Sequence, residues 1–339
     1  MKKPRTQYWA AAKIALQVLV AGAILFFLAR NVYKDWAGLS GSGWRLRWPP
    51  LVASCAALLV AELLLGLCWH VNLRLLGERP TLWASFLGLY PGQLAKYVPG
   101  KVVTLLVRLR LMRRGGVREE STTAAQVIDA TASWVSALIV GGLCAALTPH
   151  AAEQSGAMRV LWLLVLVPIG LVVVHPRVLA WVLDRLARRL GRPTVRFDMP
   201  YAGLLAVFGI YVATWASFGV GLALLCESFT GLRTSPALGI SAYTLSWVAG
   251  FFAFMLPGGL GLRELTLAAL LGISLASRPT GQTEAQALAL AARLWVTAAE
   301  VLFAGAAWAC WLAWQRRAAA DESGGGEATE APPKAVGQP

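Results

Sequence analysis

Charged residues follow a break in an apolar segment late in the chain, in a pattern that suits the binding of an anion. Residues 254–265 combine a proline, three glycines and two adjacent charges: Pro257, Gly258, Gly259, Gly261, Arg263 and Glu264. Proline cannot continue a helix without strain, and glycine leaves the backbone uncovered, so we expect a new helix to open at the charged pair. A helix N-terminus offers free N–H groups and a positive dipole end, and arginine adds a fork that matches phosphate oxygens.

A second interrupted stretch, residues 82–112, lies in the first half of the chain. It contains two helix-breaking pairs, Pro91-Gly92 and Pro99-Gly100, and three cations: Lys96, Lys101 and Arg108. The stretch is apolar but too interrupted to span a bilayer, so we expect a re-entrant hairpin or a segment in the membrane interface. Interrupted segments in corresponding halves of a chain indicate the binding site of a transporter, and the two breaks suggest an internal repeat.

We therefore expect the two breaks to face one another across a polar cavity and to hold a lipid phosphate. The predicted head-group residues are Lys96, Lys101, Arg108, Gly258, Gly259, Gly261, Arg263 and Glu264. Glu264 would balance Arg263 or receive an amine of the head group, although neighbours on a helix diverge and are not expected to pair. Two alternatives stay open, namely a simple loop at 254–265 and an amphipathic interfacial segment at 91–101.

Further charges lie inside predicted membrane helices. Glu62 and Glu300 fall near the middle of their segments, where desolvation makes an ionisable group costly and a functional role the first expectation. Arg293 lies seven residues before Glu300 and shares its helix face, so the two form either a structural pair or part of a coupling site. The three histidines have no partner nearby in sequence, and we expect no metal and no cofactor.

Composition places these motifs in a membrane protein. The chain has 339 residues, of which 57% are hydrophobic and 14% charged, and its mean hydropathy is +0.59. These values exclude an ordinary soluble domain and predict an all-α integral membrane protein with about eight transmembrane helices. The apolar runs lie at 10–29, 51–71, 124–148, 159–175, 201–226, 236–256, 264–277 and 287–314.

The net charge of +14 comes from basic loops and predicts contact with anionic lipid rather than with nucleic acid. Basic residues concentrate at the N-terminus, in 72–123, in 176–200 and after the last helix, which places these regions on the cytoplasmic side. The predicted organisation is a cytoplasmic N-terminus at 1–9, a polytopic domain at 10–315 and a disordered cytoplasmic tail at 316–339. The predicted location is the inner membrane of a bacterium.

The two breaks also carry a family resemblance. The motif Lys96-Tyr-Val-Pro-Gly-Lys101 followed by Arg108, together with the motif from Pro257 to Glu264, resembles the flippase-like family of lysylphosphatidylglycerol synthase transmembrane domains. The resemblance implies translocation of a lipid, which in some members is an aminoacylated phospholipid made by a fused synthase domain. We expect no such domain in this chain. Relatives in glycolipid, polysaccharide and hopanoid pathways leave the substrate class open. The chain departs from the family at Val102-Val103-Thr104, where a glycine and a glutamate often follow the early motif.

These observations predict a translocase for the head group of a phospholipid or of a lipid-linked glycan. We expect no enzyme, because the sequence shows no clustered nucleophile, base or metal ligands. Two alternatives stay open: a non-catalytic membrane partner of a glycosyltransferase or lipid-modifying pathway, and a membrane head-group transferase. The expected partners are membrane lipids, either anionic phospholipids or polyprenyl phosphates. A second copy of the chain and a pathway enzyme stay open as further partners.

Overall fold

The computed structural model describes residues 45–97, 102–148, 175–189, 199–252 and 261–324, except 232 and 277, together with positions 26, 30, 33, 34, 168–170, 172 and 173. Within these residues every regular element is a helix, which confirms the predicted all-α class. The α-helices are α1 (Trp48–Leu75), α2 (Leu82–Leu94), α3 (Val102–Arg114), α4 (Glu119–Ala146), α5 (Pro176–Arg189), α6 (Tyr201–Thr230), α7 (Pro236–Phe252), α8 (Leu262–Ser274) and α9 (Gly281–Gly324), with a 3₁₀ turn at Ala95–Tyr97 after α2.

Four of these helices, α1, α4, α6 and α9, are long and apolar enough to cross a membrane. They confirm four of the predicted spans. Helix α7 is apolar but shorter, and the 13 residues of α8 rise only about 20 Å against a hydrocarbon core of roughly 30 Å. The predicted span at 264–277 is therefore a partial one. The span at 10–29 and most of the span at 159–175 lie outside the described residues, so the count of eight stays a prediction.

Helices α1 and α6 pack antiparallel along their full length. At one end the N–H of Arg47 donates to the carbonyl of Ser228 at 2.8 Å, and at the other end Leu75 lies against Gly203. Between these ends the hydroxyl of Ser54 donates to the carbonyl of Gly221 at 2.7 Å. Lipid gives helices no hydrophobic reason to associate, so small residues and such interhelical hydrogen bonds hold membrane bundles together.

The break predicted at Pro91-Gly92 is wrong, because α2 continues through Pro91 to Leu94. A proline this close to the end of a helix removes one backbone donor, and neighbouring helices compensate for such losses inside a membrane bundle. The preceding residue, Tyr90, is fully buried and donates its hydroxyl to the carbonyl of Glu62 on α1 at 2.7 Å. This packing fixes α2 to α1 next to the proline. The second break, Pro99-Gly100, lies outside the described residues.

Helices α2 and α3 form a hairpin that is packed inside the bundle. Each has 13 residues, and they lie against one another, with α2 also contacting α1 and α9. Leu89 on α2 and Met112 on α3 are almost completely buried, and the sulfur of Met112 occupies the space above Gly88. On α3, Leu106, Arg110, Arg113 and Arg114 are exposed, so the re-entrant and the interfacial alternatives both stay open.

The connection between α1 and α2 is fixed to the start of α4 by Glu78. Its carboxylate accepts hydrogen bonds from Arg118 and from Ser121, each at 2.6 Å. Burial alone would raise the pKa of Glu78, but these hydrogen bonds and the charge of Arg118 lower it below its ordinary value. At the other end of the chain α9 extends to Gly324, beyond residue 316, where the predicted tail begins. The run Ala318-Ala-Ala320 favours this continuation, because alanine is the strongest helix former.

Candidate functional site

The late break ends where the sequence predicts a new helix to open. Gly261 has φ of +92°, a conformation that favours glycine, and α8 begins at the next residue. The carboxylate of Glu264 accepts a hydrogen bond from the N–H of Gly261 at 2.6 Å. Gly261 has no side chain, so only this half of a capping box is present. Pro257, Gly258 and Gly259 lie outside the described residues.

Arg263 is buried in the first turn of α8 and lies against an aromatic ring. Its guanidinium carbon lies 4.9 Å from the ring centre of Tyr243 on α7, and the arginine is only 9% exposed. Tyr243 is stacked in turn on Phe218 of α6, with ring centres 4.8 Å apart. A desolvated cation over an aromatic face gains about 2 kcal/mol, so this contact holds a positive charge in the interior.

Glu264 contacts the residue before α8 and a cation on α9, and its charge also acts on the neighbouring Arg263. Besides accepting from Gly261, its carboxylate lies 3.4 Å from a guanidinium nitrogen of Arg293 on α9. Both side chains of this ion pair are buried. Arg293 thus contacts the start of α8, and it does so from the middle of α9.

Lys96 and Glu300 form a second ion pair, which joins the 3₁₀ turn after α2 to α9. The two residues are 204 positions apart in the sequence. Glu300 is almost completely buried, whereas the side chain of Lys96 is 28% exposed. The sequence proposed Arg293 and Glu300 as a pair, but the structure gives each an ion-pair partner on another element.

Glu62 is a further buried carboxylate, near the middle of α1. It is 1% exposed, and it interacts electrostatically with Glu300, Lys96 and Arg263. Its Oε2 atom has no hydrogen-bond partner among the described residues. A buried carboxylate oxygen without a partner is costly and indicates a functional position.

We refer to these six residues as the central charge cluster: Glu62, Lys96, Arg263, Glu264, Arg293 and Glu300. It combines a cation from the turn after α2 and one from the first turn of α8 with Glu62, Arg293 and Glu300, which the sequence assigned to a distinct coupling role. The cluster is formed by α1, the turn after α2, α8 and α9. It holds three cations and three carboxylates, so its members can bind one another or exchange partners with a charged ligand.

Arg108 lies in another cluster, where its charge is already balanced. It forms an ion pair with Asp129 on α4 at 3.3 Å and donates to the side-chain oxygen of Gln126 at 2.7 Å. Its guanidinium lies 4.6 Å from the ring centre of Trp69 on α1. The hydroxyl of Tyr211 on α6 donates to the same Asp129. Through these contacts Arg108 helps to join four helices. Its role in head-group binding stays a prediction. Lys101 lies outside the described residues.

Gly92 shows how the Arg108 side chain passes α2. A Cβ atom at this glycine would lie 2.7 Å from Cγ of Arg108, so the side chain crosses α2 where the helix has no side chain. The sequence marked Gly92 only as a helix breaker. Its role in the structure is to give space to a buried arginine.

Sequence reasoning missed the aromatic partners of the two buried arginines, Tyr243 and Trp69. Each lies within a long apolar segment, where an aromatic residue carries no distinguishing local signal. Tyr243 offered one usable clue, because a tyrosine in the middle of an apolar helix must find a polar or cationic partner when it is buried.

Comparison with known proteins gives one match. The family model described as the lysylphosphatidylglycerol synthase TM region matches residues 14–313 of the chain. These residues include every member of the central charge cluster. No curated protein matches the chain.

Proposed function

We propose that this chain, which belongs to the lysylphosphatidylglycerol synthase TM region family, binds the phosphate of a lipid head group at the central charge cluster and moves that lipid across the membrane. The chain is an integral membrane protein of a family associated with a charged lipid head group. The substrate is a lipid with an anionic phosphate, either a phospholipid or a polyprenyl phosphate. The reaction is movement alone, without a covalent step.

One observation carries this proposal. Lys96, in the turn after α2, pairs with the buried Glu300, Arg263 is buried in the first turn of α8, and the charges of both cations act on the buried carboxylate of Glu62. Two cations from separate chain interruptions thus converge near the middle of a helix that is long enough to span the membrane. Transporters build their substrate sites from such interrupted segments near the midplane.

The two cations differ in a way that suits an exchangeable ligand. Arg263 is buried over Tyr243, so it is a fixed positive charge with a planar fork for phosphate oxygens. Lys96 is partly exposed, and its flexible stem allows the ammonium to leave Glu300 and follow an incoming anion. The acyl chains of the lipid would remain in the surrounding membrane while its head group enters the cluster.

Translocation by purified protein in liposomes tests the proposal. Vesicles would carry a trace of fluorescent phosphatidylglycerol or, in a parallel set, fluorescent polyprenyl phosphate, and an impermeant quencher would report the outer leaflet. We expect the wild-type protein to move one of these lipids. Arg263→Ala and Lys96→Ala should slow this movement by about tenfold or more, corresponding to roughly 1.4 kcal/mol.

Arg233→Ala is the matched control, because Arg233 is exposed in the connection between α6 and α7. Arg263→Lys keeps the positive charge, and it helps to show whether a loss of lipid movement in Arg263→Ala reflects misfolding. Movement of neither lipid, or equal rates for Arg263→Ala and Arg233→Ala, would contradict the proposal and favour a non-transporting membrane partner. Appearance of a chemically altered head group on chromatography would instead identify a transferase.

A further inference from the structure

The central charge cluster is balanced when it is empty. Among the described residues it contains three carboxylates, on Glu62, Glu264 and Glu300, and three cations, on Lys96, Arg263 and Arg293. Glu264 is committed to Arg293 and to the N-terminus of α8. The remaining carboxylates, Glu62 and Glu300, share the two cations that the proposed function assigns to the lipid phosphate.

We propose that Glu62 takes up one proton when an anionic head group enters the cluster, so that the lipid phosphate and the proton bind together. This inference rests on the proposed function and adds a coupling ion to it. The proton comes from water, forms an O–H bond at the free Oε2 of Glu62 and is released when the head group leaves. No other bond is made or broken. The cluster therefore stays neutral in both states.

The physical reason is the low dielectric of the interior. When a phosphate occupies Lys96 and Arg263, the carboxylate of Glu62 loses the two cations that lower its cost of ionisation. Two neighbouring carboxylates in one buried site do not both stay ionised, and the pair takes a proton. Glu62 is the better position for it, because its Oε2 is unpartnered among the described residues, whereas Glu300 contacts a partly exposed lysine.

The groups that neighbouring elements bring near Glu62 support its assignment as the proton acceptor. The turn after α2 contributes Lys96, α7 contributes Tyr243, α8 contributes Arg263, and α9 contributes Glu300. From α2 itself, Tyr90 donates to the backbone carbonyl of Glu62 and not to its carboxylate.

The other two helices packed on α1 bring no compensating charge to Glu62. Asp129 of α4 and Tyr211 of α6 bind one another, and Asp129 also binds Arg108. On α1 itself, the ring of His70 hydrogen bonds to Ser85 at 2.9 Å. Among the described residues, the carboxylate of Glu62 therefore depends on Lys96 and Arg263 for its charge balance.

Joint binding has a consequence for transport. A phosphodiester head group, such as that of phosphatidylglycerol, and a proton together carry no net charge on the phosphate and carboxyl groups, so the loaded cluster avoids the cost of holding an unbalanced charge at membrane depth. Because the loaded state holds one more proton than the empty state, lipid binding tightens as the pH falls. A proton gradient would then bias the direction in which the lipid moves.

Titration calorimetry on the full-length protein in detergent measures the proton directly. The probe is dihexanoyl phosphatidylglycerol, titrated at neutral pH in buffers of different ionisation enthalpy, so that the observed heat reports the protons exchanged. We expect uptake of about one proton per lipid in the wild type, with an affinity that rises by up to about tenfold for each unit of pH decrease. Glu62→Gln should bind the lipid with almost no proton uptake.

Glu300→Gln provides a second variant in case Glu62→Gln does not fold. In this variant the cluster with lipid bound holds two carboxylates and one phosphate against three cations. We therefore expect it, like Glu62→Gln, to take up almost no proton on lipid binding. Glu227→Gln, which changes a carboxylate at the end of α6, is the control and should behave like the wild type. Wild-type binding without proton uptake, or undiminished uptake in Glu62→Gln, overturns this inference and leaves the proposed function standing. Failure of the wild type to bind the lipid overturns both.

Discussion

Glu264 combines two stabilising contacts at a buried helix end. Its carboxylate accepts from the N–H of Gly261, and it faces Arg293 on α9 at 3.4 Å. The N-terminus of a helix carries unsatisfied donors and a partial positive charge, both of which an acidic residue in the first turn compensates. The same residue therefore fixes the start of α8 and attaches it to α9, and in doing so it positions Arg263 over Tyr243.

Replacing Glu264 by alanine should therefore destabilise the protein strongly. Removing one partner of a buried ion pair typically costs about 3–5 kcal/mol, and the free N–H of Gly261 adds to this cost. Thermal unfolding in detergent would measure the loss. Glu227→Ala is the matched control, because its ion pair with Arg47 is partly exposed and should contribute below about 1 kcal/mol. Equal melting temperatures for the two variants would contradict the structural role given to Glu264.

At the scale of elements, α6 and α7 approach each other closely where two glycines meet. A Cβ on Gly239 would lie 2.3 Å from the carbonyl oxygen of Gly219, and a Cβ on Gly219 would lie 2.2 Å from Cα of Ile240. These are backbone atoms, which cannot turn aside as a side chain can. The close approach matters for the site, because α6 and α7 carry Phe218 and Tyr243, the stacked rings beneath Arg263.

Alanine at either of these glycines should push the two helices apart. We expect Gly219→Ala and Gly239→Ala each to cost about 1–3 kcal/mol of stability, as overpacking of a tight contact does. The melting temperature in detergent checks this. Gly209→Ala, in the same helix α6 but with open space around the added methyl, should leave it unchanged or slightly raised. A comparable loss at position 209 would contradict the role given to the close contact, because alanine is a better helix former than glycine and meets no neighbouring atom there.

At the scale of the whole molecule, several contacts bring the basic connections to one end of the bundle. Leu75 meets Gly203, Glu78 binds Arg118, and Arg114 lies 5.5 Å from the ring centre of Trp311 late in α9. The start of α1 and the end of α6 meet at the opposite end, through Arg47 and Ser228. The structure thus groups the connections that the sequence assigned to a common side, while the identity of that side as cytoplasmic stays a prediction.

Cysteine labelling in intact bacteria tests this orientation. A membrane-impermeant maleimide should label Arg233→Cys, in the connection between α6 and α7, without permeabilisation. Glu119→Cys, at the start of α4, should react only after the cells are permeabilised. The unsubstituted chain gives the background, which we expect to be low because Cys68 and Cys226 are buried and Cys55 lies within a membrane span. The reverse pattern would invert the predicted topology.

The sequence by itself determined the membrane class, the positions of four long helices and the start of α8, because hydropathy and helix-breaking residues act locally along the chain. It also singled out Glu62, Lys96, Arg263 and Glu300 as charges that need an explanation at membrane depth. Only the tertiary structure decided their partners. Arg293 pairs with Glu264, Lys96 pairs with Glu300, and Arg108 is enclosed by Asp129 and Trp69. Pairings of this kind depend on which helices become neighbours, and Pro91 remains within a helix because packing outweighs a local preference.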